Sequence, residues 1–147
     1  NFALMKMAEK FPMKLEHTII METGGMKGRH EEMTREELHE ILRDAFQVKE
    51  IHSEYGMTEL LTQAYSKGKG LFYSPPWMKI MIRDTYDPCS YVTTGKSGGI
   101  NIIDLANIHS CSFIATQDIG KLHPDGCFEV LGRFDSSDTR GCNLMVE

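Results

Sequence analysis

A chain of 147 residues, 41% of them hydrophobic and 25% charged, is long and apolar enough to bury the core of one domain. Its formal net charge of −5, with no local block of Lys and Arg, excludes a surface built for a nucleic acid polymer. No apolar run reaches the length of a membrane span, and NFALMKMAEK lacks the ordered parts of a signal peptide, so the expected location is cytoplasmic. The four cysteines, Cys89, Cys111, Cys127 and Cys142, are far apart and show no CxxC pair, which argues against a zinc site or a disulfide framework. Free thiols are expected, with Cys89, Cys111 and Cys127 buried as small hydrophobes.

In chain order, Phe2, Met5, Ala8 and Phe11 read as the end of a helix closed by Pro12, and residues 17–21 (HTIIM) as a short buried strand. That strand runs into ETGGMKG. Next comes the clearest helix: Thr34 as N-cap, Glu37 completing a capping box, and Leu38, Ile41, Leu42, Ala45 and Phe46 as one stripe. Residues 48–52 read as a second strand. After the flexible turn at 66–70 the texture changes to strands at 77–83, 100–104, 112–115 and 128–131, separated by turn makers at 87–88, 96–99 and 124–126. The expected fold is α/β: an α-β-α-β layer over residues 1–67, then a small antiparallel, barrel-like β-rich subdomain over residues 68–147.

The stretch IHSEYGMTELLTQAY places Ser53, Glu54, Tyr55, Gly56, Thr58 and Glu59 close together at the end of a strand. A strand that only fills a core does not need that density of hydroxyls and carboxylates, so a bound ligand is expected there. For Thr58 and Glu59 the alternative is an ordinary helix N-terminus. Gly24 and Gly25 read equally as a plain turn, Tyr55 as core packing, Asp118 as a turn residue, Arg133 as a surface ion pair and Cys142 as a tail thiol.

YGMTE resembles the (Y/F)GxTE signature of adenylate-forming enzymes, the superfamily of acyl-CoA ligases and peptide-synthetase adenylation domains. The resemblance implies that Tyr55 stacks on adenine, Gly56 lets the backbone approach, Thr58 donates to phosphate oxygens and Glu59 holds Mg²⁺ beside ATP. ETGGMKG, with Gly24 and Gly25, stands where that superfamily has its adenine-flanking glycine loop. ATQDIG resembles its (T/S)xD motif, which makes Asp118 the acceptor for the ribose hydroxyls. EVLGRFDSSD resembles its GRxD segment, which makes Arg133 a donor to ribose or phosphate.

HSEYGMTELLTQAY, METGGMKGR and GRFDSSDTRGCNLMV are most similar to the acyl-protein synthetases (LuxE type) of the bacterial luciferase fatty-acid reductase system. This implies ATP-dependent activation of a fatty acid and transfer of the acyl group to a cysteine near the C-terminus, where Cys142 stands. An acyl-accepting reductase or carrier protein is then the expected partner. The family's Ser/Thr/Gly-rich phosphate loop is not found in this chain, so a C-terminal part that is inactive alone is expected. Two alternatives stay open: an acyl- or aryl-CoA ligase of the phenylacetate type, and a non-catalytic nucleotide-binding or docking module.

Overall fold

The computed structural model describes residues 1–24 and 33–134. Helix α1 (Phe2–Lys10) stops where Phe11 leaves helical geometry, one residue before Pro12. Helix α2 (Arg35–Phe46) begins with the anticipated capping box: the Thr34 side chain accepts from the Glu37 amide at 3.2 Å, and Glu37 Oε2 accepts from the Thr34 amide at 2.8 Å. Leu38, Leu42 and Phe46 are the buried positions of its stripe, whereas Ile41 is left exposed, so the stripe is narrower than expected. Backbone bonds from Met13 to Ala45 and from Leu15 to Phe46 tie the segment after α1 to the end of α2.

Strand β1 (Ile20–Thr23) runs parallel to β2 (Ile51–Tyr55), with Ile20 opposite Ile51. Ala8, Leu38, Leu42 and Phe46 cover these two isoleucines and form a first core. Both strands lie later in the chain than the apolar runs suggested. The reason is visible at Ile19, which is exposed, while Ser53 and Tyr55 are buried.

The remaining strands are β3 (Ala64–Ser66), β4 (Leu71–Tyr73), β5 (Met78–Arg83), β6 (Ser97–Asp104), β7 (Phe113–Leu122) and β8 (Phe128–Arg133), with a 3-10 turn at Leu105–Asn107. All eight of the described strands belong to one sheet in the order β1-β2-β3-β4-β8-β7-β6-β5, antiparallel except at β1-β2. The α/β layer and the antiparallel part expected from the sequence are both present, and they share this sheet. A second core of Tyr55, Leu60, Ala64, Phe72, Met78, Ile80, Ile82, Ile100, Ile102 and Phe128 draws on six of the strands and reaches across position 67.

The turn expected at 96–99 is displaced: Gly98 and Gly99 are inside β6, and the chain bends instead at Gly95. A Cβ on Gly98 would collide with the carbonyl oxygen of Arg83, and one on Gly99 with the Arg83 guanidinium. That guanidinium donates to Ile100 O (3.0 Å), Asn101 Oδ1 (2.7 Å) and Thr116 O (2.6 Å), binding three strands together. Gly99 makes room for the guanidinium and Gly98 for the Arg83 backbone.

Candidate functional site

Strand β2 ends at Tyr55, and Gly56 opens the loop that carries Thr58 and Glu59. The helix start that these two residues also suggested does not form. Leu60 N instead bonds back to Met57 O at 3.1 Å in a tight turn, the Leu60 side chain drops into the second core, and the chain enters β3. Thr58 and Glu59 are exposed on the outside of this turn.

Two buried residues that sequence reasoning missed hold the loop. Asn107 Nδ2 donates to Glu59 O at 2.6 Å while Asn107 Oδ1 accepts from Leu61 N at 3.2 Å. Asp104 Oδ1 accepts from the Thr62 hydroxyl at 2.6 Å and its Oδ2 from Thr62 N at 3.0 Å. Oδ1 also caps the 3-10 turn at Ala106 N, and Trp77 Nε1 donates to Thr62 Oγ1 at 3.2 Å. Asp104 and Asn107 have no meaningful exposure, so these bonds work in a dry environment. The available signal was an Asp closing an apolar strand, followed by Leu-Ala-Asn, which is a short capped turn.

The three motif residues Tyr55, Asp118 and Arg133 come together. The Tyr55 hydroxyl donates to Asp118 Oδ2 at 2.8 Å, and Arg133, directly opposite Asp118 in the β7-β8 ladder, places Nε 3.3 Å from Oδ1. Burial, together with the Asp118 charge, pushes the Tyr55 phenol far above its ordinary value and keeps it a donor. Its ring packs edge-on to Phe128 (centroids 5.5 Å apart) and at a tilt to Phe72 (5.9 Å). The residue expected to offer a stacking face is therefore 8% exposed and part of the core.

Gly24 follows β1 with φ +72°, at the same end of the parallel pair as Tyr55, because its neighbour Thr23 is registered with Glu54. Its carbonyl accepts from Asn1 Nδ2 at 2.8 Å. Beneath it lies a second polar cluster not foreseen from sequence: Glu22, buried, lies 3.6 Å from His39 Nε2 and 3.7 Å from Arg35 Nε, and His39 is 3.4 Å from Ser53 Oγ. Burial raises the Glu22 pKa, but hydrogen bonds from His39, Ser53 and Asn1 and the Arg35 charge outweigh it, leaving the carboxyl below its ordinary value. Gly25 and Cys142 lie outside the described residues.

An open cleft of about 790 Å³ has Thr58, Glu59, Asn107, His109, Cys111 and Phe113 among its lining residues. Cys89 and Cys111, expected to be buried, are exposed free thiols outside the strands, and Cys127 alone among the described cysteines is buried. Among the described residues no group of three or more acidic, His or Cys side chains could hold a metal. A lone exposed carboxylate such as Glu59 fits a Mg²⁺ that takes its other ligands from phosphate and water. No helix of the described residues is long and apolar enough to cross a membrane.

No family model and no curated protein matches this chain. Its fold is similar to that of O-succinylbenzoate coenzyme A synthetase (MenE) from Bacillus subtilis in complex with ATP and magnesium ion. The TM-score is 0.63 at 21% identity over 90% of this chain and 30% of that one. Coronafacic acid ligase from Pectobacterium brasiliense is similar with a TM-score of 0.61 at 20% identity, over 90% of this chain and 27% of its own. Apo MatB from Rhodopseudomonas palustris gives 0.58 at 15%, over 80% and 26%. The chain thus has the fold of one portion of each of these three proteins, spanning less than a third of their length.

Proposed function

We propose that this chain is the nucleotide-contacting portion of an ATP-dependent, AMP-forming ligase that activates a carboxylic acid, a fatty acid in the acyl-protein-synthetase reading, as its acyl-adenylate. Residues 1–67 supply the glycine loop and YGMTE, and residues 68–147 the TQD, GRFD and Cys142 motifs. The observation that carries the reading is the convergence of Tyr55, Asp118 and Arg133, from three separate motifs, at one point of the sheet.

A carboxylate offers about four lone-pair sites, and Tyr55 takes one of those on Asp118, leaving acceptor capacity for two ribose hydroxyls. With its ring packed on Phe72 and Phe128, Tyr55 is better placed to orient Asp118 than to stack on adenine. Thr58 donates to a phosphate oxygen, and Glu59 holds Mg²⁺, which when bound supplies positive charge beside the phosphates. Arg133 adds a second cation as a substrate carboxylate attacks the α-phosphorus and pyrophosphate leaves. A Cys142 thiolate then attacks the anhydride carbonyl, AMP leaves, and the acyl group is held for a reductase or carrier protein.

The full-length protein is expected to catalyse ATP–pyrophosphate exchange that depends on a carboxylic acid, with Glu59→Gln strongly reduced. Cys142→Ser should keep exchange and lose the acyl label. Exchange at wild-type rate in Glu59→Gln overturns the assignment. A second reading, in which coenzyme A accepts the acyl group, is supported by the names of the similar structures, one a coenzyme A synthetase. Label transfer only on added coenzyme A would select it. Nucleotide binding without exchange would select a non-catalytic module.

A further inference from the structure

Glu59 and Thr58 stand on a turn with no regular structure of its own, yet a residue that positions a metal or a phosphate must be held still. The geometry points to Asp104 and Asn107 as the positioning residues of that turn: a buried two-residue clamp that fixes the Glu59 carboxylate toward the ion that accompanies ATP. This inference rests on the reading of Glu59 as the carboxylate that holds Mg²⁺.

Asn107 grips the backbone on both sides of Leu60, donating to Glu59 O and accepting from Leu61 N, which fixes the peptide group that follows Glu59. Asp104 holds the next residue by two bonds, from Thr62 N and Thr62 Oγ1, and Leu60 anchors the interval in the apolar core. Both clamp residues belong to the segment that ends β6 and forms the 3-10 turn, which is far in sequence from the loop it holds. A core that only needed filling would have apolar side chains at these two fully buried positions. Four bonds converging on one loop of five residues, 58–62, are what an immobilised ligand requires.

The test is binding of Mn²⁺ with ATP to the full-length protein, read from the loss of free-ion signal in electron paramagnetic resonance, beside thermal melting. Asn107→Ala is expected to raise the Mn²⁺ midpoint roughly tenfold to a hundredfold, the range for loss of a group that supports a metal ligand. Thr62→Val, which keeps the backbone bond and the side-chain shape, should move it in the same direction by less, and Thr62→Ser should restore it. Should Asn107→Ala not fold, the Thr62 pair decides. Variants that melt earlier but bind Mn²⁺ as the wild type does would make the clamp a structural feature only and overturn the inference. A wild-type protein that does not take up Mn²⁺ with ATP overturns the metal-binding reading of Glu59 instead.

Discussion

The hydroxyl of Tyr55 and the carboxylate of Asp118, 63 residues apart in sequence, meet at 2.8 Å, joining the end of β2 to the middle of β7. Tyr55→Phe removes this bond without changing the ring packing. A hydrogen bond to a charged acceptor is worth about 2 kcal/mol, so urea unfolding should show a loss of that size. Under the proposed function the Michaelis constant for ATP should rise as well, because Asp118 loses its orientation. An unchanged urea midpoint would mean that the bond adds nothing to the fold.

Glu22 gives stability a defined dependence on acid. Its folded pKa lies below the ordinary 4.5, so its contribution is complete above about pH 4.5 and fades as pH falls through the lower folded value. Melting temperatures of wild type and Glu22→Gln, measured from pH 6 to pH 3, should differ most at the upper end and converge at the lower. A gap that widens on acidification would contradict the direction of the shift.

The glycines of β6 should differ in tolerance. At Gly98 a Cβ meets the backbone oxygen of Arg83, which cannot move without breaking the β5-β6 ladder, whereas at Gly99 it meets only the movable end of the Arg83 side chain. Gly98→Ala is expected to cost about 3 kcal/mol or to prevent folding, and Gly99→Ala about 1–2 kcal/mol through strained Arg83 bonds. Chemical denaturation of the two variants tests the order.

Thiol reactivity should follow burial. Cys89 and Cys111 are exposed, while Cys127 is 2% exposed and burial, with Asp125 beside it, pushes its thiol up. Peptide mapping after a short pulse of iodoacetamide at pH 7.5 should find label on Cys89 and Cys111 well before Cys127. Cys127 labelled at the rate of Cys111 would contradict the packing at β8.

Much of the architecture could be read from the chain because it rests on local signals. Thr34 and Glu37 announce α2 within four residues, and the apolar runs of β5, β6 and β8 need no distant partner to be recognised. What was hidden depends on distant partners. Gly98 and Gly99 read as a turn because nothing nearby reveals that Arg83 lies across them. Asp104 read as the end of a strand, and Asn107 drew no reading at all, because their work is done on residues 59–62. The motifs did mark Tyr55, Asp118 and Arg133 as neighbours, but the burial of the Tyr55 ring follows from Phe72 and Phe128, whose pairing only the sheet order brings about.

That sheet order has a consequence for how the chain acquires its shape. Strand β8 sits in the interior of the sheet, between β4 and β7, although it is the last of the described strands in the chain. Until it emerges from a ribosome, β1 to β4 form one fragment and β5 to β7 another, each with an unpaired edge, and Tyr55 and Asp118 sit on different fragments. Assembly of the site is thereby coupled to the synthesis of β8: nascent chains halted before Phe128 should expose two sticky edges and call on chaperones, while those that extend past Arg133 should close the sheet in one step.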